Sequence, residues 1–98
     1  MKITGRQRAY LSKKAHDLHP YVMVGGDGLT SAVIKAVEEA LESHELIKVK
    51  FQDHKSARRE LAPEMAVKTD ALLVKIIGNV AVLFRTARDP EKRTISLP

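Results

Sequence analysis

Residues 21–51 read YVMVGGDGLTSAVIKAVEEALESHELIKVKF, and the fold turns on them. Tyr21-Val22-Met23-Val24 is short, apolar and partly β-branched, as suits a buried strand. Gly25-Gly26-Asp27-Gly28 follows. Its glycines open backbone angles that other residues avoid, so this stretch is a loop. Thr30 suits the N-cap of a helix, and Leu29 before it is placed to pack on Ile34. Val33, Ile34, Val37, Ala40 and Leu41 then form one stripe, while Lys35, Glu38, Glu39 and Glu42 form the other. That second, acidic face is expected to meet solvent. From Leu46 the pattern alternates: Ile47, Val49 and Phe51 on one side, Lys48 and Lys50 on the other. Strand, helix, strand is a βαβ unit, and its two strands are expected to run parallel with a right-handed crossover.

Outward from this unit, Thr4 with Gln7 three residues on is a capping-box pattern. It predicts a first helix running to about Asp17 or Leu18, stopped by Pro20. Leu11, Ala15 and Leu18 share one face, whereas Arg6, Tyr10 and Lys13 share the opposite one, flanked by Lys14. Leu61, Met65 and Ala66 predict a further helix within 57–69, starting near Pro63 or kinked there. Ala71 to Ile77 and Val80 to Arg85, joined by Gly78-Asn79, read as a β-hairpin. Thr86 to Pro98 is expected to be a partly extended tail, with a short strand at Thr94 to Leu97. The expectation is a single α+β domain over residues 1–98. Its order is α-β-α-β-α-β-β, with helices packed on a four-stranded mixed sheet.

Composition narrows the function. The chain has 98 residues, with Lys+Arg 17 against Asp+Glu 12, a net charge of +5. Without cysteine there is no disulfide, thiolate nucleophile or zinc finger. No apolar run approaches the ~18 residues of a membrane span, and the N-terminus lacks a secretory pattern, so the expected location is the cytoplasm. Charge comes in blocks. Residues 1–16 are basic without an acid, 35–45 acidic, 46–60 basic again. Such a chain can fold with a basic and an acidic side, which would orient it toward a polyanion. A merely soluble surface is the other reading of the same charges.

The strand–glycine loop–helix junction is the foremost candidate site, because free N–H groups at a helix start suit a phosphate. It lacks the Gly-Lys-Ser/Thr ending of a P-loop, which leaves a short G-x-x-G loop of the size that clamps a nucleic-acid backbone. Asp27 at its tip would repel a phosphate or else support the turn. His16-x-x-His19, His44 and His54 come with no completing ligand set, so no metal or other cofactor is expected. Nor is there a Gly-x-Ser-x-Gly motif or a nucleophile with an evident base, so no enzyme is expected.

Several segments together resemble a known family. They are Val24-Gly25-Gly26-Asp27-Gly28-Leu29-Thr30, His44-Glu45-Leu46-Ile47-Lys48-Val49-Lys50, Ile77-Gly78, Val82-Leu83-Phe84-Arg85 and Ile95-Ser96-Leu97-Pro98. They look like the CRM domain (chloroplast RNA splicing and ribosome maturation), in its stand-alone bacterial YhbY-type form. The resemblance implies a fold similar to the C-terminal domain of bacterial translation initiation factor three. It also implies binding of structured RNA and association with precursors of the large ribosomal subunit. The family's G-x-x-G loop maps onto Gly25 to Gly28, its basic first helix onto Arg6 to Lys14, and its strand-end arginine onto Arg85. The residues expected to contact RNA are Lys2, Arg6, Arg8, Lys13, Lys14, Gly25, Gly26, Asp27, Gly28, Thr30 at the helix start, and Arg85. The family commonly carries Lys or Asn inside the loop where this chain has Gly26-Asp27, which shifts the expected phosphate contacts toward the helix and Arg85. Under this reading the partners are RNA and the pre-large-subunit particle, with no membrane and no small-molecule substrate. The alternative is an adaptor that docks a basic assembly factor through the acidic face of the second helix.

Overall fold

The computed structural model describes residues 2–52 and 58–98, without the side chains of 58 and 59. The charges of Asp53, Lys55, Arg58 and Arg59, and His54, therefore lie outside the described residues. The elements are α1 (Gly5–Ala15), β1 (Pro20–Val24), α2 (Ser31–His44), β2 (Leu46–Phe51), α3 (Arg58–Lys68), β3 (Leu72–Ile77) and β4 (Val80–Phe84). A single 3₁₀ turn, Pro90–Lys92, follows.

Local chemistry accounts for the boundaries. The Thr4 hydroxyl accepts from the Gln7 N–H, and the Gln7 side chain accepts from the Thr4 N–H, closing both halves of the capping box. α1 ends at Ala15, short of the expected Asp17 or Leu18. The Leu18 N–H turns back to the Ala15 carbonyl, and the chain then straightens into Pro20. Thr30 caps α2 by accepting from the Val33 N–H at 3.1 Å. α3 carries Pro63 inside its span rather than at its start. There the proline removes one i→i−4 bond but leaves Met65 and Ala66 buried. Gly78 has φ +58 in the two-residue turn joining β3 to β4, the conformation such turns demand.

The strands form one sheet in the order β1-β2-β4-β3. β1 runs parallel to β2, and the other two pairings are antiparallel, so the sheet is mixed. Each face has its own core. On one, α2 and α3 pack over Val22, Val24, Ile47, Val49, Phe51, Ala81 and Leu83. On the other, Leu11 and Ala15 of α1 pack over Leu46, Val74, Val82 and Phe84, joined by Ile95 and Leu97 from the C-terminal segment. Burying these side chains supplies the main driving force, each large one worth about 1.5–3 kcal/mol.

Two expectations are corrected. Thr94 to Leu97 forms no strand. Instead the N–H groups of Thr94 and Ile95 donate to the Glu45 carboxylate at 2.8 and 3.0 Å, so a side chain and not a strand partner holds the segment. The acidic face of α2 is not left to solvent either. Glu42 accepts from the N–H groups of Arg88 and Asp89, and Glu38 pairs with Arg85 at 2.7 Å. Of that stripe, Lys35 and Glu39 remain exposed.

Candidate nucleic-acid interface

α1 carries no acid in its first turn and ends on Lys13 and Lys14, where the negative end of the helix dipole favours cations. Lys2, Arg6, Lys13 and Lys14 are exposed. Among the described residues none of them has an ion-pair partner; Lys14 lies over the Tyr10 ring, 5.6 Å from its centroid. Arg8 differs. Its guanidinium donates to the backbone carbonyls of Leu73 and Val74, clamping α1 to β3. Part of its donor capacity is thus spent inside the fold.

The glycine loop closes the C-terminal end of β1. The Gly28 N–H donates to the Gly25 carbonyl at 3.1 Å, and the Thr30 N–H to the Gly28 carbonyl at 3.0 Å. Gly28 has φ +71, a left-handed conformation that a side chain would strain. Thr30 spends its hydroxyl as an acceptor on Val33, which leaves the amides of Ser31 and Ala32 without a partner among the described residues. Gly26 and Asp27 are exposed at the tip. The junction can therefore offer helix-start amides to an anion, with one carboxylate opposing it.

The sheet itself connects loop and helix. β1 sits at an edge, and its outward residues Tyr21 and Met23 point to the face that carries α1. On that face Met23 pairs with Lys50, Lys50 with Val80, and Val80 with Ile77. Met23 is 45 % exposed and Ile77 51 %, so this last row is open beside the glycine loop and the Gly78-Asn79 turn. Lys48 and Lys75 lie in the next row toward α1, where Lys48 donates to the His16 carbonyl at 3.1 Å. The row of Met23, Lys50, Val80 and Ile77 is not among the residues expected from sequence. The signal for Lys50 is the alternation that sets Lys48 and Lys50 on one side of β2. The rest depends on strand order.

Arg85 is a correction. It is 7 % exposed, and its Nη1 donates to Glu38 at 2.7 Å and to the Thr69 carbonyl at 2.9 Å. Glu42 lies 3.8 Å from Nη2. This guanidinium ties β4 to α2 and to the end of α3, and it presents no free charge to a ligand.

Glu45 has a role the sequence does not announce. It is fully buried at the end of α2, with φ 63, and accepts from the N–H groups of Ala87, Thr94 and Ile95 and from the Thr94 hydroxyl. Burial pushes its carboxyl up, but those four hydrogen bonds outweigh burial and hold it below the ordinary glutamate value. Glu42 is lowered as well, chiefly by the N–H groups of Arg88 and Asp89.

Residues 3–85 match the CRS1 / YhbY (CRM) domain. The chain belongs to the CRM family. It is similar to the "RNA-binding protein" of Haemophilus influenzae, at 39 % identity over 97 residues covering 98 % of this chain and 95 % of that one. It is likewise similar to "Probable RNA-binding protein YqeI" of Bacillus subtilis, at 37 % identity covering 98 % and 99 %. The solution structure of the hypothetical protein SAV1595 from Staphylococcus aureus has the same fold. Its TM-score is 0.80 at 33 % identity, covering 99 % of this chain and 100 % of that one. The shared CRM fold supports the α+β assignment throughout. Among the described residues no helix is long and apolar enough to cross a membrane.

Proposed function

We propose that this CRM-family chain is a non-enzymatic RNA-binding protein that grips backbone phosphates and assists assembly of the large ribosomal subunit in the cytoplasm. The observation that carries the RNA reading is the set of exposed cations on and before α1, Lys2, Arg6, Lys13 and Lys14, which no carboxylate neutralises among the described residues. The names of its relatives support it. The large-subunit role rests on the family resemblance alone.

The mechanism is electrostatic. The cations of α1 meet phosphates, Lys50 extends the basic surface across the open row of the sheet, and the glycine loop lets a backbone approach the start of α2. Such contacts position RNA without reading its sequence. Roughly 3–6 phosphates would be neutralised, so affinity should fall steeply with salt. The test is a salt titration of binding to a structured ribosomal RNA fragment, with the double variant Arg6→Glu, Lys13→Glu. Both side chains are exposed, so the variant should stay folded and lose most of its binding, with a flatter salt dependence. Undiminished binding would remove α1 from the site. Sequencing the RNA crosslinked to the protein in cells addresses the assembly role: reads concentrated in large-subunit precursor RNA support it, and scattered reads oppose it. The adaptor alternative loses ground, because Glu38 and Glu42 are engaged with Arg85 and with the backbone of residues 88 and 89.

A further inference from the structure

A pocket of about 280 Å³ opens at the end of the sheet opposite the glycine loop, where α1 finishes, β1 begins and α2 ends. Leu18, Leu46 and Ile95 line it with apolar surface, and Lys14 adds a cation. Thr94 adds a polar edge, and the remaining wall is aromatic. The rings of Tyr21 and His44 stack with centroids 4.2 Å apart and planes 3° from parallel. Phe51 and Phe84 are buried and Tyr10 is half-buried, so Tyr21, 47 % exposed on an edge strand, is the most exposed Phe or Tyr side chain among the described residues. A parallel aromatic pair beside an open pocket favours one more flat ring, and the lysine favours the phosphate attached to it. The volume lies at the small end for ligand sites, enough for one base and too little for two stacked ones.

We propose that this pocket receives a single unpaired nucleobase of the bound RNA, extending the Tyr21–His44 stack while Lys14 contacts the phosphate of that nucleotide. The inference rests on the RNA-binding reading and adds a preference to it: RNA with an extruded base over fully paired RNA. Lys14 joins the two sites, since it lies over Tyr10 on the basic helix and also lines the pocket.

The test compares two RNA hairpins of equal length of stem, one fully paired and one carrying a single bulged 2-aminopurine. The wild-type protein should bind the bulged hairpin about ten-fold tighter, and the 2-aminopurine fluorescence should be quenched by stacking. Tyr21→Ala should lose the advantage and the quench while binding the paired hairpin as wild type does, which also shows that it is folded. Tyr21→Phe should keep both. If the paired hairpin binds in a salt-dependent way and the bulge adds nothing, or if Tyr21→Ala retains the advantage, the pocket proposal is overturned and the RNA reading stands. If neither hairpin binds the wild-type protein, both fail. Adenosine 5′-monophosphate that saturates the pocket at concentrations leaving the bulged hairpin's advantage intact would also overturn it, assigning the pocket to free nucleotides.

Discussion

Arg85 is drawn inward by carboxylates 43 and 47 residues away in sequence, Glu42 and Glu38 on α2. Its Nε is buried with no partner in the structure, a cost that the two Nη groups offset through Glu38 and the Thr69 carbonyl. Arg85→Ala should lower stability by about 2–4 kcal/mol in urea melts, because it strands a half-buried carboxylate and a carbonyl. RNA affinity of the folded variant should be unchanged. A variant of full stability with weakened RNA binding would return Arg85 to the interface. Nothing near Arg85 in sequence distinguishes an interior arginine from a surface one; the difference lies in the α2–β4 contact. Asp27 was more legible, since a glycine loop puts its tip in solvent and the structure does so. Asp27→Lys replaces a repulsive charge by an attractive one, and filter-binding assays should show affinity several-fold tighter. Equal affinity would mean that the loop tip does not touch RNA.

At the level of elements, those with local signals could be read in advance. The capping box of α1, the Thr30 cap, the alternation of β2 and the Gly-Asn turn each depend on residues within a few positions of one another. The C-terminal segment has no such signal, because its partners are distant in sequence: Gln7, Glu42 and above all the buried Glu45, 42 to 50 residues earlier. The two carboxylates give the segment a pH dependence with a definite sign. The carboxyls of Glu45 and Glu42 are held below the ordinary value of 4.5, so their contribution is complete above that value and declines as pH falls through the lowered ones. Amide exchange of Ala87, Thr94 and Ile95 should therefore accelerate, relative to the sheet, below about pH 4.5. Glu45→Gln should reproduce this acceleration at neutral pH. Exchange at those amides that tracks the sheet at every pH would show that Glu45 does not hold the segment.

Across the whole molecule, the sequence pattern anticipated the mixed sheet and its helical cover. The division of the basic surface was less accessible, because it depends on which sheet face α1 covers and how far. Only the strand order brings Met23, Lys50, Val80 and Ile77 into one open row. The C-terminal segment belongs to the molecule's structure and is no loose appendage, since Ile95 and Leu97 complete the core under α1. Ending the chain after Arg93 should cost about 2–4 kcal/mol, from exposed apolar surface and from donors lost to Glu45. Chemical denaturation of the shortened chain would measure this, and an unaltered midpoint would count against the described packing.

The bond from the Gln7 side chain to the Pro98 carbonyl spans 91 positions, and it has a kinetic meaning. The core between the sheet and α2 with α3 draws on residues 22–83, whereas the core under α1 needs residues from 3 to 97. Closing the longer loop costs more chain entropy, and contacts so distant in sequence are late to form. The side of the sheet that carries the cations should thus be the last to consolidate during folding and the first to open in the native state. A surface of that kind can adjust to an irregular polyanion while the opposite core keeps the sheet intact.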